Sequence, residues 1–183
     1  MIGKLGRKGS LAAVAALTLA LGVAACGAEE EEGHVVEGEP IELGDLRFNV
    51  QLTRFLNPND VEDSEYLEGL PAPPLGEDYL GVFMEVENEG DGPATLPAEG
   101  DMKVLDTTGE EFEPIETETV FAFPFGLEID EEVRVPLEDT AAASGPLQGS
   151  LVLFLLTQEA AENRPLELEL TADGHDGVVE LDI

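Results

Sequence analysis

The chain contains one thiol, Cys26, and it stands directly after Val23-Ala24-Ala25. Small residues ahead of a nucleophilic sulfur suit a protease subsite, and with no second cysteine an internal disulfide is excluded. Bases are scarce: the two imidazoles are His34, set among glutamates, and His175, in the turn Ala172-Asp173-Gly174-His175-Asp176-Gly177. A serine hydrolase must bring together Ser, His and an orienting acid, and Gly-x-Ser-x-Gly does not occur. Nor do G-x-G-x-x-G, the P-loop or H-E-x-x-H, which sets aside the usual nucleotide and zinc-protease chemistries. His34 alone on a glycine-flanked acidic stretch lacks the further ligands of a metal site and reads as solvated. With 41 acidic side chains some pair falls at glycosidase spacing by chance, but eight Phe, two Tyr and no Trp leave little to stack a sugar. No catalytic residue and no cofactor are assigned.

Two patterns keep binding chemistry open. Asp173 and Asp176 are closely spaced hard-oxygen donors, weak candidates for a divalent cation, although the turn lacks the alternating acids and terminal Glu of an EF-hand. The plainer reading is a hairpin turn whose Asp side chains bond their own backbone. Phe121, Phe123 and Phe125 recur at period two within Val120-Phe121-Ala122-Phe123-Pro124-Phe125, so in an extended chain they share one face. That face is either a core-facing edge strand interrupted by Pro124 or an exposed hydrophobic interaction strip. The stretch Leu56 to Asp78, rich in Pro and Asn and without strand pattern, is a second candidate surface.

The elements that position these residues start with an address. Lys4, Arg7 and Lys8 precede an uncharged apolar run from Leu11 to Ala25, the n-region and h-region of a signal peptide. The run is shorter than the about 20 residues a membrane-spanning helix needs. Val23-Ala24-Ala25-Cys26 resembles the lipobox of bacterial lipoproteins. That resemblance implies cleavage between Ala25 and Cys26 and a diacylglycerol thioether on the Cys26 sulfur. An ordinary secretory peptide, leaving Cys26 as a free thiol, is the alternative. A thioether would be inert where a free thiol oxidises, and two acyl chains hold better than one, at about 0.8 kcal/mol per buried methylene. Cleavage removes three of the eight basic residues and no acidic one.

The formal net charge is −33. Such a field repels phosphate backbones, so nucleic acid is excluded as a partner. It also repels anionic lipid, which leaves the lipid on Cys26 as the hold on the membrane. Residues 26–40, with Glu29 to Glu32 and several glycines, read as a disordered acidic tether.

From Ile41 to Ile183 the dominant period is two. Leu46, Phe48, Val50 and Leu52 alternate with polar residues; so do Leu80, Val82, Met84 and Val86; so do Val133, Val135 and Leu137; and so do Leu166, Leu168 and Leu170. Leu151 to Leu156 is apolar on both faces and predicts a central strand covered on both sides. Only Gln158 to Asn163 reads as a short helix. About eight short strands without long amphipathic helices predict an all-β fold, an antiparallel immunoglobulin-like β-sandwich.

The block Tyr79-Leu80-Gly81-Val82-Phe83-Met84-Glu85-Val86-Glu87-Asn88-Glu89-Gly90, followed by Met102 to Phe112 with Asp106, Gly109 and Phe112 at fixed offsets, resembles a telokin-like, immunoglobulin-related domain of bacterial secreted proteins and lipoproteins. The resemblance covers roughly residues 41–170, with Glu132 to Leu137 as its later strand. It implies fold and setting; the family shares no catalytic residues to transfer. The whole reads as residues 1–25 signal peptide, 26–40 lipidated tether and 41–183 sandwich. The expected protein is a membrane-anchored, extracytoplasmic, noncatalytic module with an envelope protein as partner. A divalent-cation-binding lipoprotein is the alternative, and salt adaptation is a third source of the acidity.

Overall fold

Alternating apolar residues bury one face of each strand, and the segments that alternate most regularly form the two sheets of a sandwich. The computed structural model describes residues 33–183. The signal peptide reading, with Ala25 and Cys26 at its cut, lies outside the described residues. In chain order the strands are β1 (His34–Val36), β2 (Pro40–Leu43), β3 (Leu46–Leu56), β4 (Glu77–Asn88), β5 (Ala94–Thr95), β6 (Met102–Leu105), β7 (Glu111–Phe112), β8 (Glu128–Ile129), β9 (Arg134–Val135), β10 (Ser150–Thr157), β11 (Leu166–Ala172) and β12 (His175–Leu181). Two short helices, α1 (Ala141–Ser144) and α2 (Gln158–Glu162), flank β10.

One sheet has the order β10-β4-β3-β2, with β9 also paired to β4; the other has the order β1-β12-β11-β6-β7; β5 and β8 form a small ribbon. Every pairing is antiparallel except β1 with β12. Leu80, Val82, Met84 and Val86 of β4 share a core with Met102, Val104, Leu166, Leu168 and Leu170 of the opposite sheet. A second cluster lies on the outer face of the β4 sheet, where Phe83, Leu151 and Leu153 pack with Tyr66, Leu67, Phe121 and Ala142.

Four expectations are corrected by tertiary structure. First, residues 34–40 are not tether. β1 pairs with β12 through His34↔Val178, and the Val178 amide donates to the Gly33 carbonyl at 2.8 Å. Glu37 then joins the sheets, its carboxylate accepting from the Thr53 amide at 3.0 Å and the Asp182 amide at 3.1 Å. Second, the alternation of β3 breaks at Gln51, where the register shifts between Val50 and Leu52. The extra residue of this bulge turns Leu52 to the outer cluster and puts Thr53, 3% exposed, on the inner side.

Third, β10 is covered on both faces as its composition predicts, but it ends its sheet instead of standing at the centre. Its free edge is closed by the preceding loop: the Ile115 amide donates to Leu153 O at 2.7 Å and the Phe123 amide to Leu151 O at 2.8 Å. Fourth, the predicted strand Glu132 to Leu137 shrinks to β9, and of its three apolar residues only Val135 is fully buried. The patternless stretch from Leu56 to Asp78 is an ordered flap over the outer cluster, pinned by Tyr66, by Leu67 and by the Arg54–Asp63 ion pair.

Candidate interaction groove

The polar residues of the strand-and-turn motif do structural work that places the groove. Asn88, at the end of β4, has no exposed surface. Its Nδ2 donates to the carbonyls of Gly92 (2.8 Å), Ile129 (3.2 Å) and Asp130 (3.0 Å), and its Oδ1 accepts from the Gly90 amide at 3.0 Å. These bonds tie β4 to the turn after it and to the segment joining β8 and β9. Asp106 does the same for the β6–β7 turn, accepting from the Thr108 amide and hydroxyl, the Glu110 amide and Asn163 Nδ2 at 2.7 to 2.9 Å. Burial pushes its carboxyl up, but these bonds to the charged form outweigh burial and hold it down at about 2.

Ile129 and Val135, fixed in this way, form the floor of an apolar groove of about 220 Å³. Its mouth is made by Val120, Leu127 and Leu137, which are 73%, 48% and 55% exposed. Few other large apolar side chains among the described residues are exposed, and Val36, Val61 and Leu75 lie elsewhere along the chain. Pro124 and Pro136 also line the groove and contribute no amide proton, so the wall stays apolar. Each mouth residue has an exposed acid close by in sequence: Glu118 before Val120, Glu128 after Leu127, and Glu138 with Asp139 after Leu137. Arg134 of β9 is engaged, donating to Glu87 at 2.8 Å.

The Phe-containing segment borders the groove through its other face. Phe121 and Phe123 are buried and Phe125 is partly buried, so no exposed interaction strip is formed by these rings. Phe121 meets the Tyr66 ring at 4.6 Å between centroids, and Phe123 meets Phe125 at 5.0 Å. Because side chains alternate, Val120, Ala122 and Pro124 turn outward and line the groove. Leu137, read from sequence as inward, is the residue the pattern misplaced; no sequence signal marked Leu127.

Asp173 and Asp176 are both exposed on the β11–β12 hairpin. Asp173 and Gly174, both with positive φ (48° and 75°), make the two-residue turn of the β11–β12 hairpin. Asp176 accepts from the Thr171 hydroxyl at 2.7 Å across the hairpin. Among the described residues no group of three or more His, Cys, Asp or Glu side chains is placed to hold a metal. His34 sits half-buried on β1 and His175 is exposed at the start of β12. A larger concavity of about 530 Å³ lies between Glu68–Leu70 and Glu116–Thr119, where Leu70 is joined by three carboxylates and two hydroxyls, a mixed lining that favours a hydrated cleft over an apolar seat.

The chain matches no family model and no curated protein. Its fold is similar to an uncharacterised β-sandwich protein of Clostridium difficile, at 16% identity over 84% of this chain and 97% of that one, with a TM-score of 0.50. It is similar also to the yjhA protein of Bacillus subtilis, at 14% identity over 80% and 99% of the two chains, with a TM-score of 0.53. At such identities the likeness establishes the β-sandwich fold. Among the described residues no helix is long and apolar enough to cross a membrane.

Proposed function

We propose that the chain is a lipid-anchored lipoprotein of the cell envelope, held outside the cytoplasm, whose telokin-like, immunoglobulin-related sandwich binds another envelope component without catalysis. The groove under Val120, Leu127 and Leu137 carries the binding part, because apolar side chains gathered around one concavity are costly to leave in water and are the usual mark of a contact site. Val23-Ala24-Ala25-Cys26 and the charged and apolar segments before it support the anchoring part.

Among the described residues the first paired strand begins at His34, and in sequence residues 27–32 lie between Cys26 and the first described residue. Fully extended they reach about 20 Å, which would keep the sandwich against the membrane surface. The β11–β12 hairpin tip lies at the near end, beside Gly33 and Gly44.

Cys26→Ala should move the protein from the membrane fraction to the soluble fraction. Unchanged membrane association sinks the anchoring part. A photo-crosslinker at Val120 should give an adduct in cells that a crosslinker at Glu42, exposed on β2, does not, and Leu137→Ser should abolish it. Equal adducts from both positions sink the binding part.

A further inference from the structure

We infer that the groove takes one apolar side chain from a segment of another envelope protein, and that this segment carries Lys or Arg on both sides of the inserted residue. This rests on the proposal that the groove is a contact site and adds the chemistry of what enters it.

Size decides the first half. A volume of about 220 Å³ is below the roughly 300 Å³ at which small-molecule sites begin, and it suits a single aliphatic or aromatic anchor. The walls offer an anchor dispersion contact and little hydrogen bonding: Ile129 and Val135 below, Pro124 and Pro136 beside, Leu127 and Leu137 at the mouth.

Charge decides the second half. Glu118, Glu128, Glu138 and Asp139 are exposed next to the mouth residues, and the neighbouring base, Arg134, is already bonded to Glu87. The acids adjoin all three mouth residues in sequence and none lines the groove itself, so the negative charge belongs to the surface an incoming chain must cross and not to the seat of its anchor. A partner with acidic flanks would set like charges together at short range and be repelled. A second copy of this chain would bring the same acids to the same place, and the whole-chain charge of −33 adds a repulsion of longer range. Basic flanks turn this penalty into steering: they raise the encounter rate and fix the register of the anchor.

The test uses the full chain, isotopically labelled, and three short synthetic peptides. The first has a single Phe at its centre and a pair of lysines on each side; the second has glutamates in place of the lysines; the third keeps the lysines and has alanine at its centre. The first should shift the resonances of Val120, Leu127 and Leu137 and bind about tenfold or more tightly than either of the others. Its advantage over the glutamate peptide should shrink as salt rises from about 0.05 M to about 0.5 M. Leu127→Ser with Leu137→Ser should weaken it about tenfold with the melting temperature unchanged, since both residues are exposed. Glu128→Gln with Glu138→Gln should weaken it severalfold and should not weaken the glutamate peptide.

Equal binding by the glutamate peptide at the same resonances overturns the basic-flank inference and leaves the contact-site reading standing. Equal binding by the alanine peptide shows charge attraction without an anchor and overturns the inference. Shifts confined to other surfaces, or none, also overturn it, and the crosslinker at Val120 then judges the contact-site reading by itself.

Discussion

Two buried polar side chains at strand ends decide how the loops of this sandwich sit. Asn88 spends its amide on the carbonyls of Gly92, Ile129 and Asp130 from a position with no exposed surface of its own. Removing the amide leaves buried acceptors unpaired and an empty space beside them. Asn88→Ala should therefore cost about 3 kcal/mol in urea unfolding, and Asn88→Asp a similar amount because a carboxylate cannot donate. Asp106 gives a pH signature. Its carboxyl is lowered in the folded protein from 3.8 to about 2, so the fold favours the charged form. The stability it contributes is complete above pH about 4 and is lost as pH falls through about 2. In acid titrations followed by circular dichroism, Asp106→Asn should be less stable than the natural protein at pH 5, and the gap should narrow steadily below pH 4. A constant gap down to pH 2 would remove Asp106 from this role.

Among the elements, the segment from Val120 to Phe125 and strand β1 carry the lessons. A buried ring and an exposed branched side chain stand next to each other in the former. Phe121→Ala should cost about 3 to 4 kcal/mol by cavity formation against Tyr66, while Val120→Ser should stay within about 0.5 kcal/mol. Equal costs would mean that the two faces of this segment are assigned the wrong way round. β1 is short, and it is held by its pairing with β12 and by the bridge Glu37 makes to Thr53 and Asp182. Glu37→Ala should speed hydrogen exchange at the Thr53 and Asp182 amides and leave the Leu153-bonded Ile115 amide unchanged. Exchange at Thr53 and Asp182 as slow as in the natural protein would show that the Glu37 bridge is not what protects them.

At the scale of the whole molecule, charge is the dominant stress. Four of its bases, Arg47, Arg54, Lys103 and Arg134, each lie within 4.0 Å of a carboxylate, and the rest of the acidic surface has no positive partner of comparable number. Glu111 and then Glu169 raise the Lys103 ammonium above its ordinary value, a contact too exposed to weigh much in stability. Self-repulsion therefore acts against the compact state, and salt relieves it. Raising sodium chloride from about 0.02 M to about 0.5 M should raise the melting temperature, because the Debye length falls from about 20 Å to about 4 Å. A melting temperature independent of salt would show that the acids are spaced widely enough not to interact.

The sequence by itself determined the class of fold and the faces of its central strands, because period-two alternation in segments such as Leu80 to Val86 admits one inward side. It also determined the turn at Asp173, where an Asp and a glycine, both at positive φ, select a local geometry that needs no distant partner. Only tertiary structure decided where alternation stops. One extra residue at Gln51 reverses the faces of β3, and one bend after Val135 leaves Leu137 outside while its period still says inside. It decided too that His34 to Val36 joins β12, since a short strand draws its stability from a partner edge more than 140 positions away and leaves almost no trace in its own residues. The groove belongs to this second kind. Val120, Leu127 and Leu137 are unremarkable one by one, and they meet because Asn88 anchors the segment between β8 and β9 against the end of β4.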